Sequence, residues 1–192
     1  LLKKTKHLAV FASGTGSNFD AIQLAIEAGT LDAAITLVVS DVPTSAVIDK
    51  AKRKGLKTFV FDPKSYPNKR VFEIEIVEAL QEAEADFIIL AGYMRLVGPT
   101  LLHAYEGKII NIHPSLLPSF KGLDAIGQAF DAGVKITGVT IHYVDEGMDT
   151  GRIIAQEAVK VSDTYARGDL QRAIQVVEHQ LYPATIQSLL QQ

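Results

Sequence analysis

A mostly parallel α/β sheet with helices on both faces, extended by an antiparallel hairpin near its C-terminus, is predicted by three features of this sequence. Short β-rich apolar runs alternate with amphipathic stretches along most of the chain. Two of the runs, Asp86–Ala91 (DFIILA) and Lys108–His113 (KIINIH), are nearly continuous in apolar character. The last two runs are separated by a glycine-containing loop instead of a helix. Repeated strand–helix–strand order requires crossovers and hence parallel strands, while continuous apolar runs suit central strands covered on both faces. Two strands joined by a short loop pair as a hairpin.

His7–Ala12 (HLAVFA) is the first expected strand, followed by the turn Ser13–Asn18 and a helix with Phe19, Ile22 and Ile26 on one face, closed by Gly29. Ala34–Ser40 is the second strand and Thr44–Lys54 the second helix, stopped by Gly55. Thr58–Phe61 is a short strand and Lys69–Ala83 a charged amphipathic helix before the strand Asp86–Ala91. Lys108–His113 is the next strand, and Thr137–Val144 and Arg152–Val161 form the hairpin. The last helix is expected from near Thr164, with Leu170, Ile174, Val177 and Leu181 at helical spacing and Pro183 kinking it or starting its final segment.

Composition narrows the class. The 192 residues suit one domain, and 47% hydrophobic with 21% charged residues is ordinary for a globular protein. A net charge of −3 gives no nucleic-acid or membrane surface. Lys3, Lys4 and Lys6 cluster at the start, but the apolar stretch Leu8–Ala12 is too short for a signal-peptide core or a membrane span. The absence of cysteine excludes disulfides, thiolate nucleophiles and sulfur-bound zinc, and the five histidines have no familiar metal spacing. No metal and a cytoplasmic location are expected. No heptad or apolar strip selects between a monomer and a homodimer.

Four segments carry chemistry. Ser13–Asn18 places two glycines and small polar residues between a strand and a helix, where N–H groups and the helix dipole favour an anion. Phe19 stands where a dinucleotide fingerprint has its third glycine, so a single phosphate fits better than a pyrophosphate; a plain turn capped by Ser17 or Asn18 is the alternative. In Asn111-Ile112-His113-Pro114 the two polar side chains are two residues apart, hence on one side of a strand, and Pro114 puts them at its C-terminal edge. An amide and an imidazole there can donate to a developing oxyanion, or bond the following loop as a structural pair. The acidic loop Asp145–Gly151 matters if Asp149 meets His113, where a carboxylate would orient the ring and favour its charged form. Gly92–Leu96 combines an aromatic, a thioether and a cation after a buried strand, suiting a flat aromatic ligand with an anionic tail. His7, His103 and Asp124 are expected as surface or capping residues, and His142 as a satisfied core histidine.

Taken together, FASGTGSNF (Phe11–Phe19), LAGYMRLVGP (Leu90–Pro99), NIHPSLLPSFKG (Asn111–Gly122), VTIHYVDEGMDTG (Val139–Gly151) and EHQLYP (Glu178–Pro183) closely resemble the folate-dependent glycinamide ribonucleotide formyltransferase family. The resemblance runs from Ala9 to the final helix and implies the Rossmann-like formyltransferase fold. It implies transfer of a formyl group from 10-formyltetrahydrofolate, as co-substrate, to the amine of glycinamide ribonucleotide in purine synthesis. Carried over by position, Gly16, Ser17 and Asn18 would hold the phosphate, and Glu178, with Gln175 nearby, the ribose. Met94, Arg95, Leu96 and Val97 would wall the folate pocket, with Asp145, Glu146, Gly147, Met148 and Asp149 opposite, Asn111 contributing and Lys69 as a basic contact. Asn111, His113 and Asp149 match the catalytic trio. The N-terminal half would hold the ribonucleotide, and the C-terminal half would bind folate and carry the chemistry.

Thr15 stands where the family commonly has Asn, Arg152 where it has Pro, and Asp124 and Ile126 differ from the His-containing version of their loop. Formyltetrahydrofolate hydrolases and methionyl-tRNA formyltransferases share the Asn-x-His strand and distal Asp; the phosphate turn and Glu178 favour the nucleotide substrate. The tRNA enzymes add a basic C-terminal domain and the hydrolases an N-terminal regulatory one, neither expected here. From other classes come a nicotinamide oxidoreductase using Gly14–Phe19 and Asp41, and a non-catalytic nucleotide-binding module.

Overall fold

The computed structural model describes residues 4–192, so Lys3 of the basic cluster lies outside the described residues. The elements run β1 (Lys6–Phe11), α1 (Ser17–Glu27), β2 (Ala33–Ser40), α2 (Ala46–Arg53), β3 (Thr58–Val60), α3 (Lys69–Glu82), β4 (Phe87–Leu90), α4 (Pro99–Ala104), β5 (Ile109–His113), α5 (Ala125–Asp131), β6 (Ile136–Tyr143), β7 (Ile153–Lys160) and α6 (Arg167–Leu190). The strands form a seven-stranded sheet in the order β3-β2-β1-β4-β5-β6-β7. β1 to β5 are parallel, and β6 and β7 add antiparallel, as the hairpin spacing requires.

Period-two alternation divides each central strand between two cores. Leu8 and Val10 of β1 pack with α1, α2 and α6 through Phe19, Val47 and Ile174. Ala9 and Phe11 face the other way, against Phe72, Ile76 and Leu80 of α3 and Leu101 of α4. Both sets are buried, which is why these strands read as continuous apolar runs. Truncating such a side chain costs about 3–5 kcal/mol for Phe→Ala.

Three features depart from the sequence-based expectations. The short helices α4 and α5 are additions. α4 draws its N-terminal cap from a distant residue: buried Glu73 of α3 accepts from Gly98 N at 2.6 Å and Leu101 N at 3.2 Å. The last helix begins at Arg167 rather than near Thr164, where the Asp169 carboxylate accepts from Ala166 N at 2.8 Å. Pro183 lies inside that helix without ending it. Beside it, fully buried Tyr182 donates its hydroxyl to the carbonyls of Leu90 (2.8 Å) and Ile110 (3.2 Å), fastening α6 under β4 and β5. No helix among the described residues is long and apolar enough to cross a membrane.

Candidate active site

β1 has β2 on one side and β4 on the other, so the chain reverses its direction of winding there. Loops leaving the C-terminal ends of β1 and β4 diverge and leave a crevice, the usual ligand position in open α/β sheets. That crevice is a cavity of about 500 Å³ reaching from the β1–α1 turn to the β6–β7 loop.

One end is made by the turn Ser13–Asn18. Gly16 occupies the N-cap position of α1 at φ 75°, and no side chain among the described residues caps the helix. The expected alternative, a cap from Ser17 or Asn18, is therefore absent, leaving first-turn N–H groups to a ligand. Glycine is required twice over at Gly16: the backbone is left-handed, and a Cβ would lie 2.7 Å from Val47 Cγ2. Glu178 of α6 lines the same end. Burial pushes its carboxyl up to about 7, against the opposing effect of the Asn18 amide.

The middle wall follows β4. Met94 N donates to Ser13 Oγ at 2.9 Å, Ser13 Oγ donates to Asp41 at 2.5 Å, and Arg95 Nε donates to the other Asp41 oxygen at 2.9 Å. One carboxylate thus ties the β1–α1 turn to the Met94–Val97 wall. It is already occupied by Ser13 and Arg95, not free for the ribose of a dinucleotide. Met94, Leu96, Leu123 and Met148 line the cleft with exposed apolar side chains, a surface for an aromatic ligand.

At the far end Asn111 and His113 project from the C-terminal edge of β5. Asp149 comes from the β6–β7 loop, 36 residues beyond His113 in sequence, and its Oδ2 lies 3.4 Å from His113 Nδ1. The loop is organised by Asp145, which accepts from Gly147 N (3.0 Å) and Thr150 Oγ1 (2.6 Å). Asp149 itself is left-handed at φ 53°. Its Oδ2 also accepts from Gly122 N at 2.8 Å. His113 Nε2 donates to the Phe120 carbonyl at 2.8 Å. The segment after Pro114 is held in turn by Thr140, opposite His113, whose hydroxyl donates to Ser115 O (2.7 Å) and accepts from Leu117 N (3.0 Å).

Most residues singled out in the sequence line this one cleft: Gly16, Ser17, Asn18 and Glu178 at one end, Met94–Val97 along the wall, and Asn111, His113, Asp145, Gly147, Met148 and Asp149 beyond. Three do not. Lys69 Nζ donates to the Leu96 carbonyl at 2.8 Å, bracing the wall. Glu146 is exposed on the loop. Gln175 is replaced in the lining by Gln171, because seven residues return a helix to within about 20° of the same azimuth while three leave it about 60° away.

Two residues expected elsewhere also belong to the cleft. Asp124 is exposed, as expected, and holds the N-cap position of α5 at φ 55° without a side-chain cap among the described residues, yet it lines the cleft, paired with Arg167. His142 is buried and satisfied as expected, yet it lines the site beside Asn111. The cross-strand position opposite Asn111 was the signal that could have found it.

The family model described as "Formyl transferase" matches residues 6–186. The chain is 54% identical to the phosphoribosylglycinamide formyltransferase of Bacillus subtilis, over 96% of this chain and 95% of that protein. It is 42% identical to the bovine (Bos taurus) trifunctional purine biosynthetic protein adenosine-3, over 96% of this chain but 18% of that longer one. The crystal structure of glycinamide ribonucleotide transformylase 1 from Geobacillus kaustophilus superposes with a TM-score of 0.95 at 56% identity, covering 97% of this chain and 100% of that one. With a family match across nearly its whole length and relatives of this identity, the chain belongs to the formyl transferase family.

Proposed function

We infer that this chain transfers a formyl group from 10-formyltetrahydrofolate to the amine of glycinamide ribonucleotide in purine synthesis. The observation that carries this reading is the convergence of Asn111, His113 and Asp149 at one end of a cleft whose other end is an uncapped, glycine-shaped helix start.

The ribonucleotide end is assembled from both ends of the chain, with the phosphate on the Gly16–Asn18 turn and the ribose against Glu178. Asn18 Oδ1 is buried there without a hydrogen-bond partner among the described residues, a position a ribose hydroxyl would satisfy. The folate lies along Met94–Val97 with Met148 and Leu123 opposite.

The substrate amine attacks the formyl carbon, a C–N bond forms, and the carbonyl oxygen takes the negative charge of a tetrahedral intermediate. Asn111 donates to that oxygen. As an imidazolium, His113 donates from both nitrogens: Nδ1–H to Asp149, and Nε2–H to the Phe120 carbonyl or, in its place, to the oxyanion. Asp149 keeps the ring oriented. Collapse breaks the bond from the formyl carbon to folate N10, and a water carries the amine's proton to that nitrogen. The reaction so read uses no metal, and a chain without cysteine suits the reducing cytoplasm.

The test is incubation with 10-formyl-5,8-dideazafolate and glycinamide ribonucleotide, following deformylation by absorbance. Deformylation that requires the ribonucleotide is expected. Deformylation at the same rate without it would mark a hydrolase, and none at all would end the assignment.

A further inference from the structure

In the β5–β6 ladder the residue directly opposite Asn111 is His142. Directly opposed residues of an antiparallel pair project to the same face, so the imidazole stands beside the amide. His142 is 2% exposed. Its Nδ1 lies 2.8 Å from the carbonyl of Tyr143. A carbonyl only accepts, so Nδ1 carries the proton.

The neutral ring then presents a lone pair at Nε2, 3.3 Å from Asn111 Nδ2. That lone pair accepts an amide N–H and repels an amide oxygen. The tautomer of one residue therefore decides which way the amide of the other is turned. With one N–H held by His142, the second N–H of Asn111 is left for the cleft. A reversed amide would set its own oxygen in the donor's place.

The groups facing His142 come from three elements. β5 contributes Asn111 and His113; the β6–β7 loop contributes Asp145 and Asp149, with Asp149 Oδ1 3.7 Å from Nε2; on β7 the cross-strand partner is the apolar Ile153. Burial, with His113 acting in the same direction, outweighs the Tyr143 carbonyl and the two carboxylates and holds the imidazole below its usual pKa.

We propose that His142 is a positioning residue, whose Nε2 lone pair turns the Asn111 amide so that its free N–H faces the transferring oxygen. The proposal rests on Asn111 being the oxyanion donor, as read above. It predicts an acid limit of its own: protonated Nε2 becomes a donor, attracts the amide oxygen and reverses Asn111.

The test compares kcat, both KM values and melting temperature for His142→Phe, His142→Gln, Asn111→Ala and the double variant His142→Phe/Asn111→Ala. His142→Phe is expected to lower kcat roughly 10-fold to 100-fold, less than deleting the donor itself, with both KM values little changed. His142→Gln, whose Oε1 can accept the same N–H, recovers most of the turnover, and its kcat persists to lower pH than that of the wild type. In the Asn111→Ala background His142→Phe has no further effect, because the orienting partner has nothing left to orient. Wild-type turnover in His142→Phe with an impaired Asn111→Ala overturns this inference alone. Near-wild-type turnover in Asn111→Ala overturns the reading beneath it. Equal losses in His142→Phe and His142→Gln that persist in the Asn111→Ala background would make His142 merely structural, and so overturn the proposal.

Discussion

The two ends of the cleft are built on opposite principles. At the parallel end, the β1–α1 turn offers backbone N–H groups, and what matters is a glycine conformation and the room around it. At the antiparallel end, β5, β6 and the hairpin loop offer side chains, each held by a partner from another element: His113 by Asp149, Asn111 by His142, and the Ser115–Leu117 segment by Thr140. A backbone site tolerates changes of side chain and fails when its shape changes. A side-chain site fails when one atom is lost. The same protein should therefore respond to mutation in two distinct ways along a single crevice.

The largest effect belongs to the antiparallel end. His113→Ala is expected to lower kcat by at least about 10²–10³ while the protein stays folded, measured by the absorbance assay at saturating substrates. At the parallel end, Gly16→Ala must force a methyl toward Val47 in a left-handed backbone. A loss of about 1–3 kcal/mol of stability and a raised KM for the ribonucleotide, with the folate KM little changed, are expected from thermal melts and steady-state kinetics.

How much of this contrast was legible in the sequence follows from locality. The two-residue spacing of Asn111 and His113 and the glycines of the turn are local patterns, as are the apolar runs of β1, β4 and β5. The acidic loop offers Asp149 as a conditional partner of His113, but only the resemblance joins the two, since nothing local brings a loop carboxylate to a strand 36 residues away. α4 was invisible for a similar reason: its cap is Glu73, 25 residues before Gly98. α5 follows a left-handed Asp124 whose side chain caps nothing, so the ordinary start signal is missing. Lys69 shows only its charge in the sequence, because the Leu96 carbonyl that its amine bonds lies 27 residues away.

Glu178 gives a milder and pH-dependent distinction. Its folded pKa of about 7 lies above its ordinary value of 4.5, so the folded state holds the proton more tightly than the unfolded one. The stability this gives is fully present below 4.5 and is lost as pH rises to about 7. Glu178→Gln cannot ionise and should remove that slope, leaving the ligand-free variant more stable than wild type at pH 8 by up to about 3 kcal/mol, while its ribonucleotide KM rises. Denaturant melts at pH 5 and pH 8 measure it. The smallest effect is expected at Thr15: if the turn works through its backbone, Thr15→Ala should change the ribonucleotide KM less than about fivefold, whereas a larger change would move that end into the side-chain class.

The most direct measurement is the single-turnover rate of formyl transfer by Asn111→Ala, with both substrates saturating and folding verified by its melting temperature. A rate at least about 10²-fold below wild type, with both substrates still bound, is the predicted result. A rate close to wild type would contradict the account, because the amide at the edge of β5 would then have no part in carrying the charge of the transferred group.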